Sequence, residues 1–190
     1  MRVYTIGHST RTLDELLAML RAHGVRAVID VRRHPGSRRH PQFARDALAR
    51  SLPAEGLGYV HEPELGGRRR PLPGTPNTAW RNEQFRGYAD HLASAEFESA
   101  LARVLTYPEP PVALMCAEAV PWRCHRQLIA DVLVARGHDV RHVLSVDRAD
   151  PHRLDPKARV SGGRVIYPAE PETASAQLEL LADPPRGARR

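Results

Sequence analysis

The residues best suited to chemistry crowd into the segment Leu114 to Arg126, which holds Cys116, Glu118, Cys124, His125 and Arg126. A thiolate is the reactive form of cysteine, and basic neighbours or a helix start favour it. Cys124, flanked by Arg123 and Arg126 after a Pro121-Trp122 turn, is therefore a candidate nucleophile, or the resolving partner of Cys116. Glu118 and His125 are candidate acids or bases, and Arg126 a candidate anion holder. Free cysteines are also common as small buried apolar groups, so a structural role stays open for both. Zinc would need Cys116, Cys124 and His125 with His8 or Glu118. The seven residues between the cysteines match neither a zinc knuckle nor the tight Cys-x-x-Cys redox spacing. No metal is assigned on this basis, and the cofactor is left open.

Other segments offer ligand contacts. His8 and Ser9 follow the first apolar run, where backbone amides and a hydroxyl can meet an anion. Asp30 and Arg32 end a second run with both charges, and an internal ion pair explains them as well as a ligand does. Ser37 and Arg38 lie in a Pro-Gly-Ser turn, Tyr59 in the run Leu57 to His61, and Glu64 just before Gly66-Gly67. Glycines let a backbone approach a ligand, although a flexible turn accounts for them equally. The formal charge is +6, and Lys157 is the single lysine among 28 basic residues. Guanidinium groups suit phosphate and carboxylate, so a small anionic or nucleotide-like ligand is the first expectation. Nucleic acid is the second, through Arg32, Arg33, Arg38, Arg39 and Arg68 to Arg70. The aromatic content of 5% supplies few stacking platforms for single strands.

These groups need a scaffold, and hydrophobic spacing predicts one. Val3 to Ile6 reads as a strand. Thr12-Leu13-Asp14-Glu15 matches a capping box, followed by an apolar stripe of Leu13, Leu16, Leu17 and Leu20 with Gly24 as the stop. Val25 to Val31 reads as a strand buried on both faces, so the opening unit is a parallel β-α-β. A helix over Pro41 to Leu52, a strand over Leu57 to His61 and a long loop over Pro63 to Trp80 follow. Two helical stretches then meet near Ser94 within Glu83 to Leu105. Val112 to Cys116 is a further strand, Arg123 to Arg136 a helix, Val140 to Leu144 a strand, and Gly163 to Tyr167 an edge strand. The expectation is an α/β fold with three layers, a mostly parallel sheet flanked by helices, as a single domain over 1–168 with a flexible tail over 169–190. Such sheets bind ligands beyond the carboxyl ends of their strands, so three strand ends are expected to form one site. With no apolar stretch of membrane-spanning length and no signal-like N-terminus, a cytoplasmic protein with no membrane contact is expected.

With these blocks assembled, the chain resembles the family catalogued as domain of unknown function 488. The resemblance rests on Thr5-Ile6-Gly7-His8-Ser9, on Asp30-Val31-Arg32 with Pro35 and Ser37, on Pro63-Glu64-Leu65-Gly66-Gly67, on Tyr88-Ala89, and on Leu114-Met115-Cys116-Ala117-Glu118 with Cys124-His125-Arg126. It runs from Val3 to about Tyr167, and implies a compact α/β protein with these motifs at one site and no assigned reaction. A lesser similarity is to rhodanese-like domains, which also carry a strand ending in Asp-x-Arg and a later strand, cysteine loop and helix. Cys116 holds the matching position, but Ala117 to Arg123 lacks the small-residue cradle of that loop.

Overall fold

A computed structural model describes residues 1–36 and 39–169; Ser37, Arg38 and nearly all of the expected tail lie outside the described residues. Six strands form the main sheet: β1 (Arg2–Gly7), β2 (Ala27–Asp30), β3 (Gly58–His61), β4 (Val112–Cys116), β5 (Asp139–Val143) and β6 (Ala149–Pro151). Their order is β3-β2-β4-β1-β5-β6, parallel throughout except for the antiparallel β5–β6 pair. The α-helices are α1 (Leu13–Ala22), α2 (Arg45–Ala54), α3 (Glu83–His91), α4 (Ala95–Leu105) and α5 (Arg126–Ala135).

The helices start where local chemistry dictates. The Thr12 side chain accepts the Glu15 N–H at 3.2 Å and the Glu15 carboxylate accepts the Thr12 N–H at 2.6 Å, closing the predicted capping box. Asn82 and Ser94 cap α3 and α4 through their side-chain oxygens. On β4 the side chains alternate: Val112, Leu114 and Cys116 face one layer while Ala113 and Met115 face the other. The first layer contains α3, α4 and α5, and the second α1 and α2.

Strand order and handedness together explain this division. The chain moves outward in one direction from β1 to β2 to β3, then reverses to insert β4 between β2 and β1. Right-handed crossovers place helices on opposite faces for opposite directions of travel. α5, which follows β4, therefore lies across the sheet from α1 and α2, which follow β1 and β2. A crevice opens where these connections part, beyond the carboxyl end of β4.

Several expected bounds shift. Pro41–Phe43 is a 3₁₀ turn, and α2 begins only at Arg45. Gly163 to Tyr167 does not edge the main sheet: β8 (Arg164–Ile166) pairs with β7 (Arg159–Ser161) in a separate hairpin, and β6 takes the edge. The long loop over 63–80 is pinned by Asp90, which accepts from Leu72 N at 2.8 Å, Asn77 Nδ2 at 2.7 Å and the Thr75 hydroxyl. Among the described residues no helix is long and apolar enough to cross a membrane.

Candidate active site

Cys116 ends β4 with its side chain on the α5 face, and there it meets Cys124, with the two sulfurs 2.8 Å apart. Cys124 does not open α5 as expected. Pro121–Arg123 forms a 3₁₀ turn, Cys124 is extended, and α5 begins at Arg126. Pro121 opens that turn, its fixed φ suiting the first turn position, and the loop doubles back onto the strand end. Both cysteines are buried, yet both line a cavity that opens to solvent.

The charge on this pair follows from its neighbours. Arg126 is 1% exposed, and no carboxylate of the described residues is in ion-pair contact with it. Its Nε donates to Cys116 Sγ at 3.0 Å, and the Glu118 backbone N–H donates to the same sulfur at 3.3 Å. Burial alone would raise the Cys124 thiol, but the hydrogen bond from Cys116, with His125 and Arg126 close by, outweighs it and holds Cys124 well below the ordinary thiol range. Burial and the hydrogen bond to Cys124 push Cys116 well above that range. The pair thus holds one negative charge between two sulfurs, and Arg126 is its counter-ion.

His125 completes the arrangement. Its Nε2 lies 3.2 Å from the Val31 carbonyl, which can only accept, so Nε2 carries a proton; Nδ1 lies 3.5 Å from Cys124 Sγ and, when it too is protonated, donates to that sulfur. The ring packs 5.0 Å from Tyr88, whose hydroxyl donates to the Leu65 carbonyl at 2.7 Å. On its other side lies Gly67, where a Cβ would fall 2.9 Å from Nδ1. At Gly66 a Cβ would meet Arg33 N at 2.8 Å. The Gly-Gly pair therefore serves close packing of loop against loop and ring, and not a flexible turn.

The cavity has a volume of about 250 Å³. Cys116 and Cys124 lie at its floor with His125, and Tyr88 and Phe85 form an apolar wall. Exposed Arg33, Arg68 and Arg123 contribute to the lining, as does the exposed residue Glu118. Glu118 serves the thiols through its main chain: its N–H reaches Cys116, and its carbonyl accepts from Arg126 Nη2. No group of three metal-binding side chains occurs among the described residues.

The other expected ligand residues divide from this cluster across the sheet. Asp30 is fully buried on the α1/α2 side, accepting from Arg32 Nε at 2.8 Å, Arg32 N at 3.1 Å and the Tyr59 hydroxyl at 2.9 Å. His8 stacks on Phe43 at 4.3 Å and meets Arg32 Nη1 through Nε2 at 3.1 Å. All four groups are thus occupied by one another, and only Arg32 also reaches the cavity. The pleat explains the division: Asp30 and Cys116 sit one residue out of step on neighbouring strands, since Asp30 pairs with Met115. Ser9 adopts φ 48° and extends the β1–β4 ladder through its N–H to the Ala117 carbonyl at 2.9 Å. Glu64 pairs with Arg103 and caps nothing at the cavity.

The resemblance put Gly7 and Tyr88 among its motifs without giving them a role, and sequence reasoning missed a buried polar chain behind the thiols. Arg126 Nη1 donates to Thr5 Oγ1 at 3.3 Å; Thr5 meets His142 at 2.7 Å, His142 meets His152 at 2.9 Å, and His152 meets Asp131 at 2.8 Å. The Tyr167 hydroxyl donates to the second Asp131 oxygen at 2.7 Å. A consistent set of donors runs one way, from Arg126 to the carboxylate. No local pattern announces such a chain, because its members come from five separate parts of the sequence.

Burial, with the positive charge of Arg32, lowers His8 to about 4. Burial, with His152 and Arg126, lowers His142 to about 3. Both rings are neutral in the fold and protonate in the unfolded chain near 6.5, so stability is full above that value and is lost as pH falls toward 4 and 3. Urea unfolding at pH 7 and pH 4 is expected to differ by about 2 kcal/mol or more. Replacing His142 with glutamine is expected to shrink that difference. An unchanged pH dependence in the variant would mean that His142 is not a source of it.

An open, largely parallel α/β sheet with a thiol pair at its switch point is the class that fold and site define. The model of the family described as Domain of unknown function DUF488 matches residues 12–133, more than half of the chain, and the protein belongs to that family. No curated protein and no solved structure matches it.

Proposed function

We propose that the protein is an enzyme that uses the Cys124 thiolate as a nucleophile on a small anionic substrate. One observation carries this reading: a buried guanidinium with no carboxylate partner among the described residues donates to the sulfur of a cysteine pair that lines a small cavity together with exposed arginines. A purely structural cysteine pair needs neither the charge nor the opening, and burying an unpaired guanidinium for packing alone is costly. In this reading Arg33, Arg68 and Arg123 draw in the anion, Cys124 attacks as the thiolate, and His125 Nδ1 supplies a proton to the departing group. Glu118 serves as acid or base at the mouth.

The test compares two alkylating reagents of similar size, anionic iodoacetate and neutral iodoacetamide. Ordinary thiols prefer the neutral reagent. Two unit charges about 4 Å apart interact by about 1 to 4 kcal/mol near a protein surface, so the basic lining is expected to shift the preference toward iodoacetate by about tenfold. The Arg33→Gln, Arg68→Gln double variant should lose that shift with its fold intact, and Cys124→Ser should lose the fast reaction altogether. A preference equal to that of a free thiol would overturn the anionic-substrate reading.

A nucleic-acid partner is the second reading, and what supports it is exposure of Arg33, Arg39, Arg68 and Arg70. Arg32 and Arg69 are spent internally, on Asp30 and on the Glu64 and Gly66 carbonyls. Duplex binding that fails to weaken steeply with salt would tell against it.

A further inference from the structure

We propose that Cys116 and Cys124 are a reversible dithiol–disulfide couple, oxidised by a hydroperoxide small enough to enter the cavity. The proposal rests on the same charged pair as the reading above and gives Cys116 a covalent role, beyond the hydrogen bond by which it holds Cys124 as the thiolate.

Geometry carries the argument. The sulfurs are 2.8 Å apart across a loop that is held on both sides, and a disulfide bond is about 2.05 Å long. No other thiol exists in the chain, and neither cysteine is more than 4% exposed, so partners that bring bulk with them are excluded while small molecules enter through the cavity. An oxidised Cys124 therefore has one resolving group within reach, and it is already in contact.

The steps balance. The Cys124 thiolate attacks the outer peroxide oxygen, the O–O bond breaks, and the leaving alkoxide takes a proton from water, giving a sulfenic acid and an alcohol. The Cys116 sulfur then attacks the Cys124 sulfur; the S–O bond breaks and the hydroxide leaves as water with the Cys116 proton. Two thiols supply the two electrons that reduce the peroxide, and a small external dithiol returns the disulfide to the starting state.

Arg126 sets the direction in which the couple leans. Oxidation removes the sulfur charge that faces it and leaves a buried guanidinium with no carboxylate in ion-pair contact among the described residues. A couple whose reduced form is stabilised in this way is an oxidising one, readily reduced by dithiols.

The test treats the reduced full chain, freed of reductant, with one equivalent of hydrogen peroxide. The expected product has lost two hydrogens in intact mass, has lost both thiols to maleimide labelling together, carries no dimedone adduct, and recovers fully in dithiothreitol. Cys116→Ser is expected to stop at a dimedone-reactive Cys124. Cys124→Ser is expected to consume peroxide about thirtyfold more slowly or worse, since burial keeps the remaining Cys116 thiol from ionising and even an ordinary thiol near 8.5 is only about 3% ionised at pH 7. Wild-type protein that keeps both thiols, or that gathers dimedone adduct or sulfinic acid on Cys124 beside a free Cys116, would overturn the proposal without any variant having to fold. The two readings fail separately: disulfide formation with no iodoacetate preference removes the anionic substrate alone, and the preference without a disulfide removes the couple alone.

Discussion

Replacing Gly7 with alanine is expected to cost about 3 kcal/mol or more of stability and to slow alkylation of the thiol pair. A Cβ at this position would fall 1.7 Å from the Glu118 carbonyl oxygen, 2.6 Å from its carbon and 3.0 Å from Arg126 Nη2. The nearest atoms are backbone, so no side chain can swing aside. The backbone is also held in place: His8 N donates to the Cys116 carbonyl and Ser9 N to the Ala117 carbonyl, both at 2.9 Å, on either side of the collision. Relief therefore requires β1 and the Cys116–Glu118 segment to separate, which takes the Glu118 carbonyl off Arg126 and the Glu118 N–H off Cys116. Urea unfolding measures the first effect and iodoacetamide kinetics the second. A loss below about 0.5 kcal/mol with unchanged kinetics would show that the two segments are not in contact.

Replacing Arg126 with methionine is expected to lower the rate of iodoacetamide reaction at pH 7 by about thirtyfold or more, because a thiol returned to the ordinary value of about 8.5 is only about 3% ionised there. Only the thiolate reacts. In the wild type the rate should reach half its plateau at a pH below the ordinary thiol value of about 8.5, and in the variant above it. The stability of the two proteins should diverge with pH in a fixed sense. The lowered Cys124 value contributes stability above the ordinary thiol range, and that contribution is lost as pH falls through the lowered value. Below it, the wild type buries a guanidinium without a counter-ion while the variant buries a thioether, so the wild-type advantage should shrink and then reverse on acidification. Identical pH–rate profiles would refute the assignment of Arg126 as the counter-ion.

Much of the scaffold was legible because it is written in local periodicity. The capping box at Thr12 and Glu15, the leucine stripe of α1, the Ser94 break between α3 and α4 and the buried run of β4 each need only a dozen neighbouring residues to specify them. The shifts at α5 and α2 share a cause: Pro121 and Pro41 each open a 3₁₀ turn before the helix, and apolar spacing does not distinguish such a turn from helical residues. β6 and β7 were not predicted, and β8 was placed at the edge of the main sheet, because three-residue strands carry too little pattern. The site was legible as residue types and strand ends, since β1, β2 and β4 prove to be neighbours. Its division was not, because the pleat sends Asp30, Tyr59 and His8 to one side and the cysteines to the other.

The amino-acid sequence by itself determined the layers of this protein, the strand ends that carry polar groups and the residues able to bear thiolate chemistry, because hydrophobic period and residue type are local properties. Which of those residues meet was decided only by tertiary structure. Insertion of β4 between β2 and β1 brings Cys116 beneath Cys124, sets Gly7 against Glu118, and buries Arg126 with sulfur, hydroxyl and carbonyl as its partners. A buried charge takes its meaning from what surrounds it, and those surroundings are assembled from segments more than a hundred residues apart.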